Sequence, residues 1–343
     1  MTTKDDWSGK RVSLAHGAGG RAMRELITGL IAPAFDNGWL APLEDQARFP
    51  YALLPAGAEL AFTTDSYVVS PLTFAGGDIG TLAVCGTVND LAVGGAVPRW
   101  LSCALIMEEG LPFDTLRMVL ASMARCAREA GVAIVTGDTK VVERGAADGL
   151  FVNTAGIGTI PPGRRTGARE VRAGDRLIVN GELGDHGVAV LAARNDMALE
   201  IPVRSDCAPL NGLVEAMFAA TPRLRWLRDC TRGGLATVAN EFAAESRLQV
   251  RLDEAALPVG AAGGHEDYRD MARAFVAAHI FGQFEPVHAG HLDVEQGERD
   301  IVDQQQFQRF LARTGLQTDQ PVALEQRFER QQIFLKVVDQ QAI

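Results

Sequence analysis

Apolar side chains recur at two periods along this chain, and the switches between them mark out its elements. Met23, Leu26, Ile27, Leu30, Ile31 and Phe35 share one face at helical spacing. They predict a helix entered from a short strand at Val12 and Leu14 through the glycine-rich turn His16-Gly-Ala-Gly-Gly20. Ala61 to Val69 is rich in β-branched and aromatic residues, as a strand should be, and carries Asp65 in its middle. Gly76-Gly77-Asp78 offers an N-cap to a helix through Leu82, Cys85 and Val88 that ends near Gly94-Gly95. Asn89 and Asp90 sit late on that helix. Trp100 to Met107 reads as a buried strand, and Pro112 opens a helix with Leu116, Val119, Leu120 and Met123 on one face, closed by Gly131. Val132 to Val142 is strand-like, interrupted at Gly137-Asp138-Thr139-Lys140, and Leu150 to Ile160 is another strand. Pro161-Pro162-Gly163 then places a domain boundary.

The second half opens with the turn Gly174-Asp175 and an apolar strand, Arg176 to Asn180, leading into Gly181-Glu-Leu-Gly-Asp-His-Gly187. Helices are predicted at Val188 to Arg194, Leu210 to Ala220 and Leu235 to Glu245, the last preceded by Asp229-Cys-Thr-Arg-Gly-Gly234, and a strand at Leu248 to Leu252. Strands alternating with helices imply an α+β protein of mixed α/β layers. The pattern breaks after Val259. Of 15 glutamines only Gln46 and Gln249 precede that point and 13 follow it, with weak helical periodicity around Phe307, Phe310 and Leu311. The expected division is 1–162, 163–259 and an atypical glutamine-rich tail over 260–343.

Composition narrows the function. A net charge of -10 supplies no concentrated cationic face for nucleic acid. Five scattered cysteines without a C-x-x-C pair argue against a disulfide framework or a zinc knuckle. No apolar run approaches a membrane span, and the expected location is the cytoplasm. Triphosphate chemistry needs backbone N–H groups or cations at the phosphates and carboxylates for the hard divalent ions that bridge them. Asp65, Asp90 and Asp138 lie at or beside element ends, and Lys140 follows two residues after Asp138. The free N–H groups of Thr231-Arg232-Gly233-Gly234, ahead of a helix, suit an anion. Taken singly, each of these has a plainer use: a glycine turn, a solvated carboxylate, a cap, a structural histidine at His186, or a buried thiol.

In order, however, His16-Gly-Ala-Gly-Gly20, Thr64-Asp-Ser-Tyr67, Cys85-Gly-Thr-Val-Asn-Asp90, Thr136-Gly-Asp-Thr-Lys140, Gly184-Asp-His-Gly187 and Asp229-Cys-Thr-Arg-Gly-Gly234 resemble the signature series of the HypE family, the carbamoyl dehydratases of [NiFe]-hydrogenase maturation. Glu108-Glu-Gly-Leu-Pro112 and Leu252 to Val259 fit as well, so the resemblance covers about residues 10 to 259.

The resemblance implies a two-domain PurM-like fold. Its N-terminal domain forms a β-barrel-like interface in a homodimer, and its C-terminal α/β domain is atypical after residue 259. It also implies ATP and Mg²⁺, with Asp65, Asp90 and Asp138 at the metal and Lys140 and Asp90 as catalytic groups. His16, Gly17, Gly19, Gly20, Asn89, Thr139, Asp229, Thr231, Arg232, Gly233 and Gly234 would join them at the nucleotide, and Asp185-His186 would face the site. The implied partners are the HypF carbamoyltransferase and the HypC–HypD complex, with no nucleic acid or membrane. The implied reaction dehydrates a cysteine S-carboxamide to a thiocyanate. In the family that cysteine ends a Pro-Arg-Ile-Cys tail, whereas here the sequence reads Val338-Asp-Gln-Gln-Ala-Ile343 and no cysteine follows Cys230. From sequence alone, residues 260–343 read as a replaced tail. The alternative to an active enzyme is a non-catalytic nucleotide-binding dimeric scaffold, and Cys230 is the one substitute thiol beside the site motifs.

Overall fold

The computed structural model describes residues 7–18, 20–44, 46–50, 53–194, 203–221, 224–231, 234–250, 252, 257–258 and 334–338. The expected strand at Val12 and Leu14 is instead a single bridge, Arg11 to Pro112, followed by a 3-10 turn over Leu14–Gly17. A continuous helical run follows: α1 (Arg21–Leu26), a π turn (Ile27–Ile31) and α2 (Ala32–Ala34), with Leu26, Leu30 and Phe35 buried along one side.

The N-terminal half is one sheet covered on one face. Its strands are β1 (Glu59–Tyr67), β4 (Val97–Glu108), β5 (Ala133–Val142) and β6 (Leu150–Ile160), in the order β1-β6-β4-β5. A small ribbon of β2 (Thr73–Phe74) and β3 (Gly77–Asp78) leads into α3 (Ile79–Val93). Asp78 caps α3 as the sequence predicts, its Oδ1 accepting from Thr81 N at 2.8 Å and from Ser122 Oγ at 2.6 Å. Ser122 lies on α4 (Phe113–Ala130), so the cap also joins the two helices. Of the 15 residues of α3 only Gly86 and Asp90 are not fully buried. A helix apolar all round belongs inside the protein, and here α3 separates the sheet from the second half.

β5 is unbroken where an interruption was expected. Gly137 sits so close to the Cys103 carbonyl of β4 that a Cβ could not be accommodated, beside the bulge between Leu101 and Ser102. The glycine here serves close strand approach rather than a turn.

The second half holds β7 (Arg176–Val179), α5 (Asp185–Arg194), α6 (Asn211–Ala220), β8 (Leu224–Asp229), α7 (Gly234–Ser246) and β9 (Phe334–Val338). β9 pairs antiparallel with both β7 and β8, occupying the middle of a three-stranded sheet in the order β7-β9-β8. The glutamine-rich stretch thus supplies a central strand; its remaining residues, Phe307, Phe310 and Leu311 among them, lie outside those described. The strand expected at Leu248–Leu252 is absent among the described residues of that stretch, which run without regular structure while Val250 packs on Trp226 and Phe242.

The halves meet along α3. Ala92 and Val93 pack with Val214 of α6 and with Leu224 and Leu227 of β8. Beyond β6, Arg164 makes a two-pronged ion pair with Glu215 at 2.6 and 3.2 Å, lies 4.0 Å over the Phe218 ring and donates to Gly95 O. Among the described residues no helix is long and apolar enough to cross a membrane.

Candidate active site

Register sorts the candidate residues onto two faces. Across the sheet Asp65 lines up with Thr154, Cys103 and Gly137, whereas Asp138 lines up with Ala104, Asn153 and Ser66. Side chains alternate along each strand, so Asp65 shares the helix-covered face with buried Thr154 and Cys103. Asp138 and Lys140 stand on the open face with Ile106. Asp65 is also on one edge strand and Asp138 on the other, three strand spacings apart, or about 14 Å at ~4.8 Å each.

The first cluster lies between the sheet and the second half. Asp65 comes from β1, Asp90 from the partly exposed spot on α3, and Asp229 from the end of β8. Thr63 Oγ1 donates to Asp90 Oδ2 at 3.5 Å. Burial first, then the Asp229 carboxylate and then Asp65, raise the Asp90 pKa from 3.8 to about 7. Burial likewise raises Asp229, against the opposing pull of Arg228 and a hydrogen bond from Thr231. Three carboxylates crowded under desolvation favour any bound cation that relieves their repulsion. Among the described residues, no three carboxylate, imidazole or thiol groups stand close enough to hold a metal ion by themselves. Hard oxygen donors of this number suit Mg²⁺, which keeps waters and phosphate oxygens and takes only one or two carboxylates.

Thr231 closes a turn with Gly234 N donating to its carbonyl at 3.0 Å, bringing the start of α7 beside Asp229. Arg232 and Gly233, which share this turn in sequence, lie outside the described residues, as does Gly19. Asn89 is fully engaged nearby: its Nδ2 donates to Ala208 O at 3.0 Å and its Oδ1 accepts from Leu210 N at 2.8 Å.

The second cluster surrounds β5. Asp138 Oδ1 accepts from Thr139 N at 2.8 Å, and Lys140 Nζ is 3.5 Å from Asp138 Oδ2, both side chains about 60% exposed. The 3-10 turn packs on this strand, and a Cβ on Gly17 would come within 2.6 Å of Val141 N. His16 sits with its ring edge-on to Phe113 at 5.1 Å and its Nδ1 accepting from Ser13 N at 3.0 Å. Gly20 caps α1. Within one chain Asp138 thus stands on the opposite face of the sheet from Asp65 and on the opposite edge strand.

His186 is 1% exposed, its Nδ1 2.9 Å from Ser205 Oγ and its ring edge-on to Phe74 at 5.2 Å. Cys230 is likewise fully buried, with burial pushing its pKa up to about 12. Thr63 and Arg228, which touch or bias Asp90, carried no motif. Their only sequence signal was adjacency to Thr64-Asp65 and to Asp229.

The chain matches two family descriptions, AIR synthase related protein, N-terminal domain, over residues 44–160, and AIR synthase related protein, C-terminal domain, over residues 172–290. The second match runs past residue 259. The chain is similar to the protein named carbamoyl dehydratase HypE of Escherichia coli (strain K12), 55% identical over 249 residues, which are 72% of this chain and 74% of that one. Among solved structures it is similar to hydrogenase maturation protein HypE in complex with ATP, with a TM-score of 0.74 and 37% identity over 96% of this chain and 82% of that one. A HypE–HypF complex gives a TM-score of 0.62 and 34% identity, covering 94% of this chain and 85% of that one.

Proposed function

The chain belongs to the HypE family of carbamoyl dehydratases, and on that footing we propose that it binds ATP with Mg²⁺ in a site assembled from two copies of itself and uses it to dehydrate a cysteine-bound carboxamide to a thiocyanate. The observation that carries this reading is the division of the site residues between the two faces of the sheet and between its two edge strands, about 14 Å apart. A second copy laid open face to open face would set the β5 edge of one chain, with Asp138 and Lys140, beside the β1 edge of the other, behind which Asp65, Asp90 and Asp229 lie.

The open face suits such packing. Phe62 is 71% exposed and Leu60 60%, and both stand on it with Ile106. Exposed apolar side chains on one sheet face mark an association surface, and two such sheets pressed face to face give the barrel-like interface the family resemblance implies.

The chemistry follows from the groups present. An amide oxygen leaves poorly, so ATP phosphorylates it: the oxygen attacks the γ-phosphorus, ADP departs and one of the two N–H protons is lost to solvent. Removal of the remaining N–H proton then drives out phosphate and leaves S–C≡N. Asp90, beside Asp65 and Asp229, is the proposed catalytic carboxylate of the cluster. Lys140, exposed on an edge strand, supplies a cation to the transferred phosphoryl group. When bound, Mg²⁺ offsets charge on the phosphate oxygens, and Asp65 and Asp90 would hold it. The proposed partners are a HypF-type carbamoyltransferase, which loads the carboxamide, and the HypC–HypD complex, which takes the cyano group for iron.

A second reading, a nucleotide-binding scaffold without turnover, is favoured by the thiols: Cys85, Cys103, Cys126 and Cys230 are buried and only Cys207 is half-buried. Incubating the full chain with ATP, Mg²⁺, carbamoyl phosphate and a HypF-type enzyme separates the two by intact mass. A carbamoyl adduct that loses one water supports the dehydratase. An unchanged mass with ATP bound supports the scaffold.

A further inference from the structure

Three of the five cysteines meet although they lie far apart in sequence. Cys85 is on α3, Cys126 on α4, and Cys207 in the extended segment between α5 and α6. Cys85 is near enough to both of the others to interact with them electrostatically, and Cys207 packs on the apolar cluster that contains the other two. Core thiols usually act as small hydrophobes. This group differs because one member, Cys207, is only half-buried while Cys85 and Cys126 are enclosed.

The backbone around Cys207 is held at both ends. Upstream, Ser205 N donates to Ala75 O at 2.8 Å just before α3 begins. Downstream, Asn89 holds Ala208 and Leu210, and Asn211 Nδ2 donates to Ala130 O at 2.8 Å at the end of α4. Cys207 N donates to Ser205 Oγ at 3.2 Å. The segment is therefore held against α3 between Ala75 and Asn89, on the helix that carries Cys85.

We propose that Cys207 and Cys85 form a peroxide-responsive dithiol that closes to a disulfide tying the 203–210 segment to α3. A hydroperoxide is the oxidant. The Cys207 thiolate attacks the distal peroxide oxygen, breaking the O–O bond and giving a sulfenic acid and hydroxide. The Cys85 sulfur then attacks the Cys207 sulfur, forming S–S and expelling water, with the Cys85 proton carried off by the leaving oxygen. Two thiols and one hydroperoxide become one disulfide, water and the reduced hydroperoxide.

The environments set the order of events. Access makes Cys207 the thiol oxidised first. Cys126 favours a Cys85 thiolate, but Cys207 and burial outweigh it and hold the Cys85 pKa well above the ordinary thiol value. Closure is then the slow step. The crosslink would lie one helical turn from Asn89 and Asp90; any effect on ATP handling rests on the function proposed above and is measured separately from the crosslink itself.

The test is chemical and independent of turnover. The folded full chain is treated with hydrogen peroxide, quenched with an alkylating agent in denaturant and digested without reductant. The account predicts that free thiols fall from five to three and that a Cys85–Cys207 peptide is the dominant bridged product, released by dithiothreitol. It also predicts that the Cys207→Ser variant loses this bridge and that the same treatment in denaturant scrambles it. A dominant Cys85–Cys126 bridge, or over-oxidation of Cys207 to sulfinic acid with no bridge, overturns the proposal. The map of the unsubstituted chain decides the matter even where a variant fails to fold.

Discussion

Replacing Asp90 with Asn should make the protein more stable, and increasingly so as the pH rises. In the folded chain burial, Asp229 and Asp65 raise Asp90 from 3.8 to about 7, so it stays protonated where an unfolded chain would release the proton. Its contribution to stability is therefore full below about pH 4, declines as the pH rises, and is gone above about pH 7. Between about pH 5 and pH 7 the loss is at most about 3 kcal/mol, at about 1.4 kcal/mol per pH unit. Asn cannot ionise and keeps an acceptor for the Thr63 hydroxyl at the same place. Arg228 and entering water soften the cost of ionisation, so the stability gap between Asp90→Asn and the unsubstituted chain should widen by about 1–3 kcal/mol from about pH 5 to about pH 8.5. Thermal unfolding should show this as a gap in Tm that grows by roughly 2–8 °C. A gap that stays constant with pH, or that widens towards acid, refutes the argument. The same variant should lose ATP turnover, because the destabilising charge is the one the chemistry uses.

Gly17→Ala places a Cβ within 2.6 Å of Val141 N; this should cost about 1–3 kcal/mol in urea unfolding and weaken ATP binding, and an unchanged urea midpoint would count against the close packing of this turn on β5. Asp78→Ala removes the acceptor for Thr81 N and Ser122 Oγ; the urea midpoint should fall by an amount equivalent to about 2 kcal/mol with the slope unchanged. Phe62→Ser should shift sedimentation from dimer to monomer, since the side chain is 71% exposed in one chain. Unfolding of the separated monomer should change by no more than about 0.5 kcal/mol.

Local chemistry made much of the fold legible. The amphipathic stripe of α4, the Asp78 cap and the β6 boundaries depend on neighbours in sequence, and the sequence pattern predicts them. β8 escaped because Leu-Arg-Trp-Leu-Arg-Asp, over residues 224–229, interleaves two arginines with its apolar residues. β9 escaped for a different reason: it completes a sheet with strands more than a hundred residues earlier, and periodicity within a glutamine-rich stretch carries nothing about distant pairing. The same limit governs the site. Asp65, Asp90, Asp138, Lys140 and Asp229 are visible in sequence as residue types in motifs. Whether they share a face depends on strand register, which no single motif encodes.

That partition gives the most direct measurement of the central claim. Chains carrying Asp90→Asn and chains carrying Lys140→Ala are each expected to be inactive in ATP hydrolysis to ADP and phosphate. If the site is built from two copies, random exchange makes about half of the dimers mixed and each mixed dimer holds one intact site of its two, so activity should return to about a quarter of that of the unsubstituted protein. Activity no higher in the mixture than in either variant alone, after exchange is complete, would place the whole site within one chain and contradict the account.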